Sequence, residues 1–260
     1  MLLAKKSLGQ NYLVDQNIIN KIVNVLNIKD KDIIEIGPGR GALTEAIIKR
    51  KPKSLVLIEK DLKLYDYLRS KYSLDKKINV FNEDILKFKL EKKIKKDTVI
   101  FGNLPYNISS QILVKMIMLK ETSLFSDLIF MFQKELANRI VGKFGTKDYG
   151  RLSVLTNYSF DISKKFDVSP NCFLPKPKVF STVLHFTKKK QNSLKIKKIK
   201  NLEKITNILF SNKRKMINKN IRKIFKKNEN LSIKGLNLKF RPSEIKPEKY
   251  YEITKLFEKT

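Results

Sequence analysis

The sequence predicts an α/β fold built on a parallel sheet, from the alternation of two kinds of apolar pattern and from where the glycines fall. Short β-rich apolar runs at 32–36, 55–59, 78–82, 99–102 and 128–133 read as buried strands. Stretches with helical spacing lie between them, among them 43–50 and 61–71. Strands alternating with helices imply right-handed βαβ units and a sheet covered on both faces. In such sheets the ligand lies beyond the carboxyl ends of the strands. The strand ends are therefore where chemistry is expected.

The pattern changes near residue 188. Residues 188–200 are Lys-rich and irregular and read as a linker. Beyond them, apolar residues at 202, 205, 208, 209, 216, 217, 221, 224 and 225 keep close to helical spacing, and 250–257 repeats that style. A domain of residues 1–187 followed by a small basic helical domain of 188–260 is the expected organisation. The charge is uneven as well. The chain carries 56 basic and 25 acidic residues, a net +31, and residues 187–260 hold 23 basic and six acidic ones, a net +17. Such a field draws in polyanions, nucleic acid first and an anionic membrane surface second.

Hydrophobic residues make up 42% of the chain, enough for a sizeable core. No apolar run approaches the roughly 18 residues that cross a bilayer, and the opening Met1–Lys6 lacks the order of a signal peptide. Cys172, the single cysteine, excludes an intrachain disulfide and argues against a zinc cluster. A monomeric protein of the cytoplasm, without metal, is expected.

The first strand runs into Gly37-Pro38-Gly39-Arg40-Gly41 and then a helix. Gly37 and Gly39 let the backbone approach a ligand closely. The next strand ends in Glu59, 22 residues after Gly37, where a carboxylate can accept from both hydroxyls of a ribose. The third runs into Glu83-Asp84, and the Asp84 carboxylate can accept from an adenine amine. These acids point to an adenosine-containing cofactor, either NAD or S-adenosylmethionine.

The fourth strand decides between them, because it leads into Asn103-Leu104-Pro105-Tyr106. An exocyclic adenine amine is a poor nucleophile, its lone pair being delocalised into the ring. The Asn103 amide oxygen and the Leu104 carbonyl can each accept one amine hydrogen and turn that nitrogen toward tetrahedral geometry. Pro105 restricts Leu104 to extended conformations, and Tyr106 can stack on the base. Methyl transfer from S-adenosylmethionine then needs positioning and electrostatics rather than a strong base.

Together with Gly9-Gln10-Asn11-Tyr12-Leu13, Gln133-Lys134-Glu135, Tyr149-Gly150-Arg151-Leu152-Ser153 and Phe173-Leu174-Pro175-Lys176-Pro177-Lys178-Val179, these motifs resemble the ribosomal RNA small-subunit adenine dimethyltransferase family over nearly the whole chain. The resemblance implies a Rossmann-like class I methyltransferase sheet of seven mostly parallel strands with a small helical C-terminal domain. It implies that Asn11 and Leu13 touch the cofactor and that Phe173 packs on the target base opposite Tyr106. The Pro-x-Pro neighbourhood of Phe173 argues for a stiff, exposed loop. The implied activity is dimethylation of two adjacent adenosines near the 3′ end of small-subunit ribosomal RNA, within a partly assembled particle. Phe180 departs from the family, which more often has a polar residue there.

Lys213, Arg214, Lys215, Arg222 and Lys223 punctuate the expected C-terminal helix and, with Arg151, are taken as contacts to RNA phosphates. His185 reads as a strand residue and Cys172 as a small filler. The related erythromycin-resistance branch, acting on large-subunit RNA, more usually has Ile where this chain has Leu104. A binding factor for ribosome assembly is the alternative from another class.

Overall fold

The computed structural model describes residues 9–119, 124–189, 194–225, 233 and 235–259. The opening residues Met1–Lys6 and part of the expected linker lie outside the described residues. The described elements, in chain order, begin with β1 (Tyr12–Leu13), α1 (Gln16–Val23), β2 (Asp32–Ile36), α2 (Ala42–Lys49), β3 (Ser54–Glu59) and α3 (Leu62–Lys71). Next come β4 (Ile78–Asn82), β5 (Val99–Asn103), α4 (Ser109–Leu119), β6 (Asp127–Gln133) and α5 (Lys134–Val141). The chain continues with α6 (Arg151–Ser159), β7 (Phe160–Val168), β8 (Phe173–Leu174) and β9 (Ser181–Lys188), then α7 (Ile199–Phe210), α8 (Asn218–Ile221) and α9 (Pro247–Phe257). Two compact units result, one of Met1–Ala137 with Ile162–Lys188 and one of Asn138–Asp161 with Lys189–Thr260.

The first unit is organised by a seven-stranded sheet in the order β4-β3-β2-β5-β6-β9-β7. Strands β2 to β6 are parallel, and β9 returns antiparallel to β6. From β2 the chain builds outward through β3 and β4 on one side, then crosses back to place β5 and β6 on the other. The crevice between β2 and β5 is therefore the topological switch point, where open α/β sheets bind ligands.

Local chemistry places the helices that cover the sheet. Asp15 caps α1, its carboxylate accepting from the Ile18 N–H at 2.9 Å, and Asp61 caps α3 through the Lys63 N–H at 3.0 Å. One sheet face buries Ile33, Leu55, Leu57, Val99, Phe101, Ile129, Met131 and Val183 in a cluster with Ile19, Ile22, Val23 and Ile47. The other is anchored by Phe130, Phe132 and Phe186, whose ring centroids lie 6.1–6.3 Å apart in tilted and edge-on contacts. All five expected strands are present, two with the expected bounds and three one residue longer. One expectation about them is corrected: residues 78–82 form a strand, β4, that is not buried. It is the sheet's edge, and its side chains are half-buried or exposed. An edge strand packs a neighbour on one side only.

The second unit is helical around tyrosines that bury their rings and hand their hydroxyls to backbone carbonyls. Tyr149 donates to Ile245 O at 2.8 Å and Tyr250 to Pro242 O at 2.6 Å. Phe210 stacks on Tyr250 with centroids 5.3 Å apart. The helical spacing of 202–225 does not yield one helix. α7 stops at Phe210, because 211–215 offers no apolar side chain to bury, and α8 starts only at Asn218. Asn220, buried, donates to Leu209 O and Ser211 Oγ and so serves the polar groups at the end of α7.

No helix among the described residues is long and apolar enough to cross a membrane. Phe130→Ala removes the centre of the aromatic cluster from a fully buried position. It should destabilise the protein by about 3–5 kcal/mol, read from the denaturation midpoint.

Candidate active site

The parallel register between β2 and β5 sets Ile36 opposite Gly102, so the glycine turn and the Asn103 tetrapeptide leave the sheet side by side. A side chain on Gly102 would place its Cβ 2.5 Å from Leu104 Cδ2. Glycine there lets the chain fold back on itself and bury the Leu104 side chain directly behind the strand end. On the opposite wall, Gly39 has φ of +59°, and a Cβ on it would meet the Tyr12 ring at 3.1 Å. That ring is covered in turn by the Arg40 guanidinium, 4.6 Å from its centroid. One cavity joins residues 9–13, 35–40, 42–43, 58–60, 83–85 and 103–108.

Acids line this cavity in a chain of strongly positive charge, and each is held differently. Glu59 is only 6% exposed. Its two oxygens accept from the Gly39 N–H at 3.0 Å and the Asp61 N–H at 2.9 Å. Burial raises its pKa, with these backbone donors pulling the other way. The Lys60 N–H also donates to this carboxylate, which still keeps acceptor capacity for a ligand hydroxyl. Asp84 accepts from Lys60 Nζ and from the Leu86 N–H, both at 2.9 Å, and the Lys60 ammonium holds its carboxyl below the usual range. Glu35 is wholly buried, accepts from the Thr44 hydroxyl at 2.7 Å, and is pushed by burial up to about 8. The loop after Asp84 is gathered by Lys115 of α4, whose ammonium donates to the carbonyls of Ile85, Leu86 and Phe88 at 2.7, 3.2 and 2.6 Å. Burial lowers the pKa of this ammonium.

Asn103 stands at the mouth of the cavity with its amide orientation set. Its Nδ2 donates to Asn11 O at 3.0 Å, which leaves Oδ1 as an acceptor for a substrate. The Tyr106 hydroxyl shares a 2.6 Å hydrogen bond with Ser181 Oγ at the start of β9. The half-buried Tyr106 ring is thereby held at the same strand ends.

The model of the ribosomal RNA adenine dimethylase family matches residues 1–259. The chain belongs to that family. Two relatives called ribosomal RNA small subunit methyltransferase A support the assignment. That of Pelagibacter ubique is 43% identical over 257 residues, covering 98% of this chain and 97% of its own. That of Malacoplasma penetrans is 40% identical over 259 residues, covering 96% and 90%. Solved structures share the fold: a dimethyladenosine transferase from Plasmodium falciparum (TM-score 0.74, 23% identity, 95% of this chain and 97% of that one) and the 23S rRNA methyltransferase ErmE (TM-score 0.69, 22% identity, 95% and 100%). The dimethylase is thus an S-adenosylmethionine-dependent methyltransferase with a mostly parallel class I sheet.

The residues present fit that cofactor. Glu59 and Asp84 line the cavity as carboxylate acceptors, which match the donors an adenosine offers, and Gly39 lets the turn pack against the Tyr12 ring, which a Cβ would meet at 3.1 Å. Asn11, Leu13, Gly37, Gly39, Glu59, Asp84, Asn103, Leu104, Pro105 and Tyr106 all line the cavity of the dimethylase.

Phe173 does not, and its expected place in an exposed loop is corrected. It is 3% exposed, sits opposite Leu13 in the antiparallel pair of β1 with β8, and packs into the core beneath the sheet. The stiff Pro-x-Pro segment begins only after it. The Arg151 guanidinium is bonded to Glu203 of α7. Lys213, Arg214, Lys215, Arg222 and Lys223 are exposed, but in the turns on either side of α8 rather than along a helix. His185 lies on β9, 2.7 Å from Asp127, and Cys172 is half-buried beside Asp15.

Tyr12, Arg40, Lys60, Lys115 and Ser181 were not legible as site residues. Each acts through a partner 24 or more residues distant in sequence, or, for Tyr12 and Arg40, through stacking. Only the Gly-Pro-Gly-Arg-Gly context carried a hint of Arg40.

Two outcomes follow for the dimethylase. An unfolded glutamate titrates at about 4.3, whereas folded Glu35 keeps its proton up to about 8. The folded state binds more protons across that window, so stability falls as pH rises through it. Glu35→Gln keeps an acceptor for Thr44 and has no charge to bury. Its thermal midpoint should therefore fall less between about pH 5 and 8 than that of the parent, which loses a few kcal/mol there, with buried Glu59 supplying the remaining dependence. Lys115→Met releases the loop that carries Asp84. It should weaken S-adenosylmethionine binding by about tenfold in calorimetry, equivalent to about 1.4 kcal/mol.

Proposed function

We propose that the dimethylase transfers methyl groups to the exocyclic amines of two adjacent adenosines near the 3′ end of small-subunit (16S) ribosomal RNA, in a partly assembled small subunit. It acts in the cytoplasm as a monomer and contributes to ribosome biogenesis. The observation that carries the chemistry is the hydrogen bond from Asn103 Nδ2 to Asn11 O, which commits the amide oxygen to the cavity.

S-adenosylmethionine supplies an electrophilic methyl group on its sulfonium. Glu59 accepts from its ribose hydroxyls, Asp84 from its adenine amine, and Gly37, Gly39, Asn11 and Leu13 form the surrounding wall. Asn103 Oδ1 and the Leu104 carbonyl each accept one hydrogen of the target amine, so that its lone pair leaves conjugation and points along the line of displacement. The methylated nitrogen then loses a proton to water, and no side-chain base is required. Tyr106, fixed through Ser181, stacks on the flipped adenine, a contact worth about 1–3 kcal/mol.

The small-subunit substrate is supported by relatives of that name at 40–43% identity over almost the entire chain. The first unit serves as the catalytic body. The second, with its exposed Lys213, Arg214, Lys215, Arg222 and Lys223, neutralises RNA phosphates and orients the particle.

The test is transfer of labelled methyl to unmethylated small subunits, to large-subunit RNA and to naked small-subunit RNA. Dimethyladenosine confined to the small-subunit particle is the expected result, and label in large-subunit RNA would overturn the substrate assignment. Asn103→Ala should lower the transfer rate at least about a hundredfold, the scale of losing one positioned acceptor. Binding to small subunits should survive in that variant.

A further inference from the structure

With Phe173 in the core, the first unit presents a different aromatic ring at the carboxyl edge of the sheet. Phe180 is 49% exposed, beside Val179 at 43%. It directly precedes Ser181, the residue that holds the Tyr106 hydroxyl. Ser181 pairs with Gln133, two positions past the Met131 that pairs with Asn103, so Phe180 lies just beyond the end of β9 on the site's side of the sheet.

The ring is mounted rather than loose. The Phe180 carbonyl accepts from the Lys134 N–H at 2.9 Å, and the Lys134 ammonium lies 5.6 Å from the ring centroid. That ammonium is tied to Asp167 Oδ2 at 2.8 Å, and Asp167 also takes Lys164 at 2.9 Å and the Thr182 hydroxyl at 2.7 Å. Beside this cation Phe180 remains 49% exposed. Lys176 and Lys178 are exposed in the same loop. Lys134, which lies over the Phe180 ring, and Thr182 share Asp167, whereas Ser181 is bonded to Tyr106, so Phe180 is grouped with Thr182 and not with Ser181 and Tyr106. The ring is therefore placed for a neighbour of the target base rather than for the target itself.

The geometry points to Phe180 as a stacking platform for an unpaired nucleotide that flanks the target adenine in the RNA. A flat π face with surrounding cations suits a base and its phosphate, and stacking of this kind is tolerant of base identity. The inference rests on the RNA substrate of the preceding section and extends it to a second base.

Steady-state methylation of unmethylated small subunits by F180A, F180L and F180W tests it. F180A and F180L should each raise the KM for the particle about tenfold, while F180W restores it, as expected for stacking rather than for bulk alone. The KM for S-adenosylmethionine and the thermal midpoint should stay at parent values in all three. Parent-like KM in F180L would mean that no π face is used, and parent-like KM in F180A would put the ring outside the RNA footprint. A raised KM for S-adenosylmethionine would show that the residue acts through the cofactor cavity. Each of these results overturns the proposal. If the parent itself left small subunits unlabelled, the substrate assignment would have failed instead, and the same series on the RNA that it does methylate would decide the role of Phe180.

Discussion

The parallel ladder between β2 and β5, with Ile36 opposite Gly102, is the constraint on which the rest of the dimethylase depends. It is the point where strand order reverses, and it sets the glycine turn beside the Asn103 tetrapeptide. The other strand ends inherit their places from it. Glu59 follows through the register of β3 with β2, and Asp84 lies just past the Asn82 that pairs with Glu59 on β4. A one-residue slip in any of these ladders would turn an acceptor away from the cavity. Gly102 makes the arrangement compact enough to work, since any larger residue would displace Leu104.

Charge is partitioned within the molecule. The chain carries +31, a field suited to ribosomal RNA, yet its cavity is lined by Glu35, Glu59, Glu83 and Asp84. That local reversal suits a cofactor whose reactive centre is a cation and whose ribose and adenine offer donors. The acids are kept in place by different means: Glu59 by backbone N–H groups, Asp84 by Lys60, and Glu35 by burial that favours its protonated form. Of the cations, Lys213, Arg214, Lys215, Arg222 and Lys223 stay exposed, where desolvation costs them little. Those that build the cavity, Lys60 and Lys115, are spent on a carboxylate and on backbone carbonyls.

The aromatic residues separate in the same way. Phe173 has the sequence setting of an exposed ring, but pairing of β1 with β8 draws it against Leu13 and into the core. Phe180 remains exposed, with the Lys134 ammonium 5.6 Å from its ring centroid. Tyr106 stands between these extremes, half-buried and held by its hydroxyl.

The alternation of strands and helices, the bounds of β2 and β4, and the glycine turn and acids at three strand ends were legible in the sequence, because they depend on periodicity and on turn chemistry a few residues long. The Asn-Leu-Pro-Tyr stretch was legible for the same reason: its acceptors, its restricted backbone and its ring are consecutive. Tertiary structure alone decided the rest. β4 is an edge because of sheet order, the spacing of 202–225 breaks because 211–215 has nothing to bury, and Arg151 belongs to Glu203. Whether a phenylalanine faces a base or the core, and which lysine gathers a loop 27–30 residues away, depend on contacts between distant segments. Local pattern sets what a segment can become; packing against partners far along the chain sets which of its side chains are left to act.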